Sequence, residues 1–343
     1  MLSPAIFHSP TRLIFRLLLL LLSFSAFSQA PPPPQSVFDY LTPQEGVALT
    51  IELDLTELIN NKKTNQYFPA TLITANGGIM QVDIRPRGKY RRKICDVPPL
   101  KLKFSKKGLR AAQLDTLNEV KLVVPCFNDP ESEDLLLREY VAYRLFERLN
   151  PAYAVRARLI KVAFRDRHVE QLKAPVYCLL LEHEEQVAAR LRGSLVEDYN
   201  LPTDQLDAGQ AAMTSLFEYM IGNTDWAIAT FRNVYLLKPA NGDKIRVIPY
   251  DFDFSELVDA PYAKANQSSS MPERKLVTAG LSAQMLNQAA ATMQAARADL
   301  LGWCNAPFLP KNTVKELNRY LESFYQALDT KLNFCEGKDG ALR

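Results

Sequence analysis

The segment RNVYLLKPANGDKIRVIPYDFD, residues 232–253, predicts a single β-hairpin in a part of the chain that is otherwise helical. Asn241-Gly242 is a strong signal for a two-residue turn, which would join NVYLL to KIRVI. In that register Asn233 lies opposite Tyr250 and diagonally next to Asp251. The hairpin therefore predicts that an amide and a carboxylate meet at its open end.

More oxygen-bearing side chains follow or precede this hairpin. Asp253 comes two residues after Asp251, and burying such charges without partners is costly. Upstream, GNTDW follows a predicted helix end at Gly222 and brings Asn223 and Asp225 to the base of the hairpin. Carboxylate and amide oxygens suit a hydrated divalent ion that also binds phosphate. The alternative is that these residues cap turns, where Asn and Asp are common.

Three segments of this region, GNTDW, RNVYLL and IPYDFDFS, resemble a known signature. They are similar to the C-lobe motifs of the spore coat protein H (CotH) family of atypical secreted kinases, which read N-x-D, then N-x-Y, then P-W-D-x-D. Upstream, IRPRGKYRR resembles that family's Arg-Gly segment, and PVYCLLLEHEEQVAARL resembles its strand that ends in Glu. The resemblance covers about residues 80–260. Tyr250 replaces the usual Trp, and SEL follows where a glycine is common.

The resemblance implies a role for each acid and amide. Asp225 would be the catalytic aspartate that orients or deprotonates an acceptor hydroxyl. Asn233 and Asp251 would hold Mg²⁺ or Mn²⁺ on the phosphates of ATP, as phosphoryl transfer requires. Asp253 would support these ligands or hold a second metal ion.

A kinase also needs a cation on the phosphates. In PPLKLKF, Lys101 and Lys103 alternate with apolar residues, so either could reach the cleft, with Lys101 preferred; a solvated strand face is the alternative. Glu139 is the candidate partner of that lysine, and Glu182 could line the nucleotide site or bond to backbone. Arg87 could supply phosphate charge instead, because its guanidinium stays protonated. No Walker-type loop or GxGxxG motif occurs.

The wider pattern predicts an α+β, two-lobed fold, and the resemblance implies that this fold is kinase-like. Short strands rich in β-branched residues occupy residues 46–128 and suggest a mostly antiparallel sheet. One long amphipathic helix follows, with Leu137, Val141, Leu145 and Leu149 on one face, and then two more strands. The second half is mainly helical and carries the hairpin, and a Thr313/Glu316 capping box predicts the start of the last long helix.

Four segments are predicted along the chain: a secretory signal at 1–28, a Pro-rich linker at 29–36, a β-rich lobe at 37–185 and a helical lobe at 186–343. An uncleaved anchor is the alternative to the signal. Removal of residues 1–28 leaves 39 basic and 38 acidic side chains, so nothing indicates nucleic acid as a partner. We expect a secreted or envelope protein without a stable membrane span.

Five cysteines in an exported chain allow two disulfides, for which Cys95 with Cys126 and Cys304 with Cys335 are the nearest pairs. Cys178 lies in an apolar strand and is predicted to be a core residue. The chain has three histidines, and none has a second histidine or a cysteine at ligand spacing. A zinc site and a histidine-based triad are therefore not expected.

Three functions remain open. The first is a kinase that transfers phosphate from Mg-ATP to a protein or another hydroxyl-bearing acceptor. The second is an inactive binding or assembly protein of the cell envelope on the same fold. The third is a sugar hydrolase that uses Asp225 and Asp251 as its carboxylate pair, although this would not explain Asn233.

Overall fold

A computed structural model describes residues 34–198, 201–242, 244–264, 274–278 and 280–330. The described residues from Gln35 onward belong to one compact unit. The predicted signal at 1–28, most of the linker and Cys335 lie outside the described residues. None of the described helices is both long and apolar enough to cross a membrane.

The elements in chain order are α1 (Val37–Leu41), β1 (Val47–Leu53), α2 (Leu55–Asn60), β2 (Phe68–Thr74), β3 (Ile79–Pro86), α3 (Arg91–Ile94), β4 (Leu100–Phe104), α4 (Lys106–Ala111), β5 (Glu119–Val123), α5 (Pro130–Leu149), β6 (Ala157–Asp166), β7 (Gln171–Leu172), β8 (Val176–Glu182), α6 (Glu184–Arg190), β9 (Gly193–Leu195), α7 (Ala208–Ile221), β10 (Val234–Pro239), β11 (Arg246–Pro249), α8 (Pro261–Lys264), α9 (Ala283–Ala295), α10 (Arg297–Trp303) and α11 (Lys311–Thr330). The predicted mixture of helices and strands is confirmed.

The strands of the first half close into a barrel. Their order is β1-β2-β3-β4-β5-β8-β6, and β6 returns to pair with β1 in parallel, while β7 extends β6 as a short hairpin. The prediction of a mostly antiparallel sheet was therefore incomplete. Closure pairs Val47 with Ile160 and Leu53 with Asp166, so both edges of β1 are hydrogen-bonded. A closed barrel has no unpaired edge strand.

Strand alternation fills the barrel with apolar side chains. Leu100, Leu102 and Phe104 of β4 are buried in this core, and Lys101 and Lys103 alternate with them. The Cys178 side chain belongs to the same core, as predicted.

Helix α5 connects the barrel to the helical half. Asp129 caps its first turn by accepting a hydrogen bond from the Ser132 N–H, and Pro130 is tolerated there because the first helical N–H has no partner. Leu137, Val141 and Leu145 are buried, as the four-residue spacing predicts. They share one core with the β5, β6 and β8 side chains outside the barrel and with α7, α9, α10 and α11.

The last long helix is confirmed, but its predicted start is wrong. Helix α11 begins at Lys311, directly after Pro310, so Thr313 lies inside the helix. The Thr313 hydroxyl donates to Asp134, and Glu316 pairs with Arg138. The two residues that resembled a capping box instead join α11 to α5.

The hairpin register predicted from Asn241-Gly242 is confirmed. Val234 pairs with Pro249 and Leu237 with Arg246, and the Tyr250 N–H donates to the Asn233 carbonyl at 2.9 Å. Strand β9 adds a third strand on the other edge of β10.

Candidate functional site

A cavity of about 670 Å³ lies between the barrel and the open end of the hairpin. On the barrel side it is lined by Pro99 and residues 87–91, which follow β3. On the other side it is lined by Asp225 and by residues 230–233 and 250–254, among which Phe252 does not contribute. The cavity thus contains Arg87 and the four predicted residues Asp225, Asn233, Asp251 and Asp253.

The end of α7 places Asp225 at this cavity. Gly222 ends the helix in the left-handed conformation, with φ of 66°, and a Cβ there would collide with the Tyr320 hydroxyl. The buried Asn223 side chain then accepts a hydrogen bond from the Asp225 N–H at 3.0 Å. This turn holds the half-buried Asp225 carboxylate at the base of the hairpin.

Asn233 is bound directly to Asp225. Its Nδ2 donates to the Asp225 carbonyl oxygen at 2.7 Å and to Oδ2 at 3.1 Å. The other amide atom, Oδ1, has no hydrogen bond to any described residue. Burial raises the pKa of Asp225, and the Arg232 guanidinium and the Asn233 amide partly oppose that shift.

Asp251 presents a carboxylate without a partner among the described residues. Its N–H donates to the Tyr143 hydroxyl at 2.9 Å, and its φ of 66° is left-handed. Non-glycine residues rarely adopt this conformation, which costs about 1 kcal/mol or more and is concentrated at functional sites. The half-buried carboxylate is therefore available to a ligand in the cavity.

Asp253 belongs to a buried ionic cluster at the same wall. The Tyr262 hydroxyl donates to its Oδ2 at 3.1 Å, and Arg91 Nη1 lies 3.7 Å from the same oxygen. Arg91 also pairs with Glu139 at 3.0 Å. Burial raises the pKa of both Asp253 and Glu139. Asp253 is thus already engaged by protein groups, in contrast to Asp251.

The donor set fits a partly hydrated magnesium ion rather than a cage formed by the protein alone. Among the described residues, no group of three His, Cys, Asp or Glu side chains is arranged to hold a metal ion. In the cavity wall, Asn233 Oδ1 and the Asp251 carboxylate have no hydrogen-bond partner among the described residues. Mg²⁺ commonly takes one or two carboxylates together with phosphate oxygens and waters, so these two residues are its candidate ligands.

The predicted phosphate cations are only partly brought to the cavity. Arg87 lines it and forms no ion pair with any described residue. Lys101 does not line it, because Lys101 pairs with Glu119 at 2.7 Å and lies 3.0 Å from His183 Nε2. Lys103 lies over the Tyr67 ring on the barrel surface.

The two predicted glutamates have other partners. Glu139 pairs with Arg91 and not with a lysine of the described chain, and its Oε1 is buried without a hydrogen bond. Glu182 is fully buried and accepts from both Arg156 and Arg190. These two arginines neutralise the charge of Glu182, and Glu182 does not line the cavity.

Sequence reasoning missed Lys121. Its ammonium pairs with Glu184 at 2.5 Å and lies 5.1 Å from the Tyr235 ring centroid and 5.6 Å from that of Tyr250, which also lines the cavity. Burial and the charge of Arg87 lower the pKa of Lys121 to about 8. A signal existed, because Lys121 is the single charge within the apolar run VKLVV of the strand before α5.

A second cavity of about 350 Å³ adjoins this lysine network. It is lined by Glu184, by residues 195–197 and by residues of β10, and it shares Phe231 and Tyr250 with the first cavity. The Tyr235 and Tyr250 rings stack with centroids 4.1 Å apart at this junction. The cleft is taken as these two adjoining cavities, and Lys121 is not among the residues that line either of them.

No known family model and no curated protein matches the chain. Among solved structures, a crystal structure of the Helicobacter pylori proinflammatory kinase CtkA is similar, with a TM-score of 0.38 at 10% sequence identity. The match covers 62% of this chain and 88% of that chain. A likeness of this size says nothing about the activity of this chain.

Proposed function

We propose that the chain is a kinase-like phosphotransferase that binds a magnesium nucleotide in the cleft and transfers its terminal phosphate to a hydroxyl acceptor. The observation that carries the proposal is the convergence of Asp225, Asn233 and Asp251 in one cavity with the cation of Arg87, which no described residue pairs. Phosphoryl transfer needs a group that orients the acceptor, ligands for Mg²⁺ and cations on the phosphates.

The residues divide these tasks. Asp225 accepts the proton of the acceptor hydroxyl, and the Asn233 amide holds its carboxylate in place. Asn233 Oδ1 and Asp251 would hold the magnesium ion, which neutralises phosphate charge when it is bound. Arg87 binds phosphate oxygens through its forked N–H groups, and Lys121 adds a second cation on the Tyr250 side of the cleft.

A second candidate, nucleotide binding without transfer, is favoured by one observation. Active protein kinases pair a strand lysine that binds the phosphates with a helix glutamate. Here Lys121 of β5 pairs with Glu184 of α6, but Lys121 does not line the cavity that contains Asp225. The cleft would then bind nucleotide without catalysing phosphate transfer.

The disulfide between Cys95 and Cys126 supports an oxidising location, because such bonds are rare in reducing compartments. We therefore propose that the protein acts in the cell envelope or outside the cell. The acceptor must also be present there.

Labelled nucleotide tests the function. The purified chain is incubated with γ-labelled ATP and Mg²⁺ or Mn²⁺, as wild type and as Asp225→Ala and Asp251→Ala. Asp83→Ala, an exposed acid on β3, is the matched control. We expect label transfer by wild type and control only. Equal transfer by both cleft variants would refute the catalytic assignment, and nucleotide-dependent thermal stabilisation without transfer would favour the binding protein.

A further inference from the structure

Two exposed cations line the candidate cavity and have no part in the tasks assigned above. The cavity is lined by four cationic side chains, and one of these, Arg91, is neutralised by Glu139 and Asp253. Arg87 is half-buried and is assigned to phosphate. Lys89 and Arg232 are exposed, one on each side of the cavity.

Arg232 lies beside Asp225, the proposed catalytic base. Its Nη1 is 3.5 Å from Asp225 Oδ1, which is longer than a charge-assisted hydrogen bond of about 2.8 Å. The Arg232 side chain is 59% exposed and that of Asp225 is 39% exposed. Exposed pairs of this kind contribute only about 0–1 kcal/mol. An incoming carboxylate can therefore take Arg232 from Asp225 at little cost.

The backbone holds Arg232 in place although its side chain is exposed. Ala227 and Arg232 exchange two backbone hydrogen bonds of 3.0 Å, which close a tight turn. The residues on either side, Phe231 and Asn233, have left-handed φ values of 50° and 52°. Left-handed phenylalanine is strained by roughly 1–2 kcal/mol, and such strain is typical of functional sites. This turn fixes where the guanidinium emerges.

Lys89 emerges from a second turn. Gly88 has φ of 83°, with open space where its Cβ would be, and turns the chain between Arg87 and Lys89. The Lys89 ammonium forms no ion pair with a described residue. An acceptor that reaches Asp225 from solvent thus enters a cavity whose two most exposed charged residues, Lys89 and Arg232, are cationic.

We propose, on the basis of the phosphotransferase function above, that the acceptor is an acidic peptide, in which Asp or Glu residues flank the Ser or Thr that is phosphorylated. Arg232 pairs with a carboxylate next to the acceptor hydroxyl, and Lys89 pairs with one further along the peptide. A flexible chain with several carboxylates can contact both cations. In the reaction, the acceptor oxygen bonds to the γ-phosphorus as the bridging P–O bond breaks. The hydroxyl proton goes to Asp225 and the nucleoside diphosphate leaves.

Peptides that differ only in the residues next to the serine test this inference. Serine peptides flanked by Glu, Gln or Lys are compared as substrates of the wild type, Arg232→Glu and Lys89→Glu, with Lys107→Glu on α4 as an exposed control. We expect wild type and control to prefer the Glu peptide by roughly tenfold or more in kcat/KM, and to lose preference as salt screens the charges. Arg232→Glu should shift preference to the Lys peptide, mainly through peptide KM, with the KM for ATP unchanged.

Each outcome has a distinct meaning. A wild-type preference for Gln or Lys peptides overturns the inference, and so does a preference for Glu that survives in both charge-reversal variants. Transfer to an anionic glycan with none to the acidic peptide also overturns it. If the wild type transfers label to no peptide and shows neither autophosphorylation nor ATP turnover, the phosphotransferase function itself fails. Turnover without acidic preference refutes only the acceptor class.

Discussion

The Asn233 amide nitrogen contacts both the carbonyl oxygen and the carboxylate of Asp225, at 2.7 and 3.1 Å. One side chain thereby fixes the Asp225 carboxylate and leaves its own Oδ1 for another ligand. Asp225, the proposed catalytic base, and Asn233, a proposed metal ligand, are thus held in place by the same two hydrogen bonds.

Replacement of Asp225 by Asn should separate turnover from binding. The amide keeps the size of the side chain but cannot accept a proton, and loss of such a base lowers rates by about 10²–10⁴-fold. We expect kcat to fall by that amount in steady-state assays, with nucleotide affinity nearly unchanged in calorimetry. Asp83→Asn on β3 is the control. A kcat close to that of wild type would contradict the role of Asp225.

Substitution of Lys121 should weaken nucleotide binding, whereas substitution of Lys101 should not. Both lysines are ion-paired, Lys121 with Glu184 and Lys101 with Glu119. Lys121→Met removes the cation that lies beside the Tyr250 ring of the cleft, whereas Lys101→Met removes one with no contact to a residue of the cavity wall. Hydrogen bonds to charged groups contribute about 1.5–3 kcal/mol, so Lys121→Met should raise the nucleotide Kd by roughly ten- to a hundredfold. Lys101→Met should change it little. Calorimetry on folded variants measures both effects. A larger loss of nucleotide affinity in Lys101→Met than in Lys121→Met would favour Lys101 as the phosphate cation, as the sequence predicted.

The hairpin could be predicted because its signals are local. Asn241-Gly242 and the alternation on either side fix the register, and this register places Asn233 next to Tyr250. The same register and the helix end at Gly222 brought Asp251 and Asp225 to the base of the hairpin, and both line the cavity. The resemblance then implied their roles.

What the sequence did not reveal depends on contacts between distant segments. Parallel pairing of β1 with β6 joins residues more than a hundred positions apart, and no local pattern encodes it. The choice between Lys101 and Lys121 has the same cause. These two residues are partners on β4 and β5, and their contacts with distant residues distinguish them, since Lys101 lies beside His183 and Lys121 beside Tyr235.

Acid should weaken the protein through Glu184. Burial opposes the shift, but the charges of Lys121 and His183 outweigh it and lower the pKa of Glu184 from 4.5 to about 2, so the folded state favours the carboxylate. This stability is present above pH 4.5 and is lost as the pH falls toward 2. Such a shift in pKa corresponds to about 3 kcal/mol of folding stability. Because the Glu184 side chain is 28% exposed, solvent screening reduces the expected contribution to about 2 kcal/mol.

Urea unfolding at several pH values measures this contribution. Glu184→Gln should be less stable than wild type at pH 6, and the gap should close by pH 2. His183, whose pKa burial lowers to about 4, also destabilises the folded state as the pH falls from 6.5 to 4. Glu185→Gln, an exposed neighbour, should follow wild type throughout. A gap that stays constant down to pH 2 would contradict the assignment.

The disulfide between Cys95 and Cys126 should stabilise both the fold and the cavity wall. It links positions 31 residues apart, and Cys95 follows the short helix that carries Arg91. Arg91 in turn donates to the Val124 carbonyl beyond β5. Disulfides in loops of this length contribute about 3 kcal/mol, so Cys95→Ala with Cys126→Ala should lower the free energy of unfolding by that amount.

Reductant provides the matched control for this prediction. Dithiothreitol should lower the denaturation midpoint of wild type toward that of the double variant and leave the variant unchanged. Because Arg91 pairs with Glu139 and Asp253 at the cavity, nucleotide affinity should fall in parallel. If wild type and the double variant were equally stable without reductant, the disulfide would contribute nothing to the cavity wall. Arg91 would then be held by its ion pairs alone.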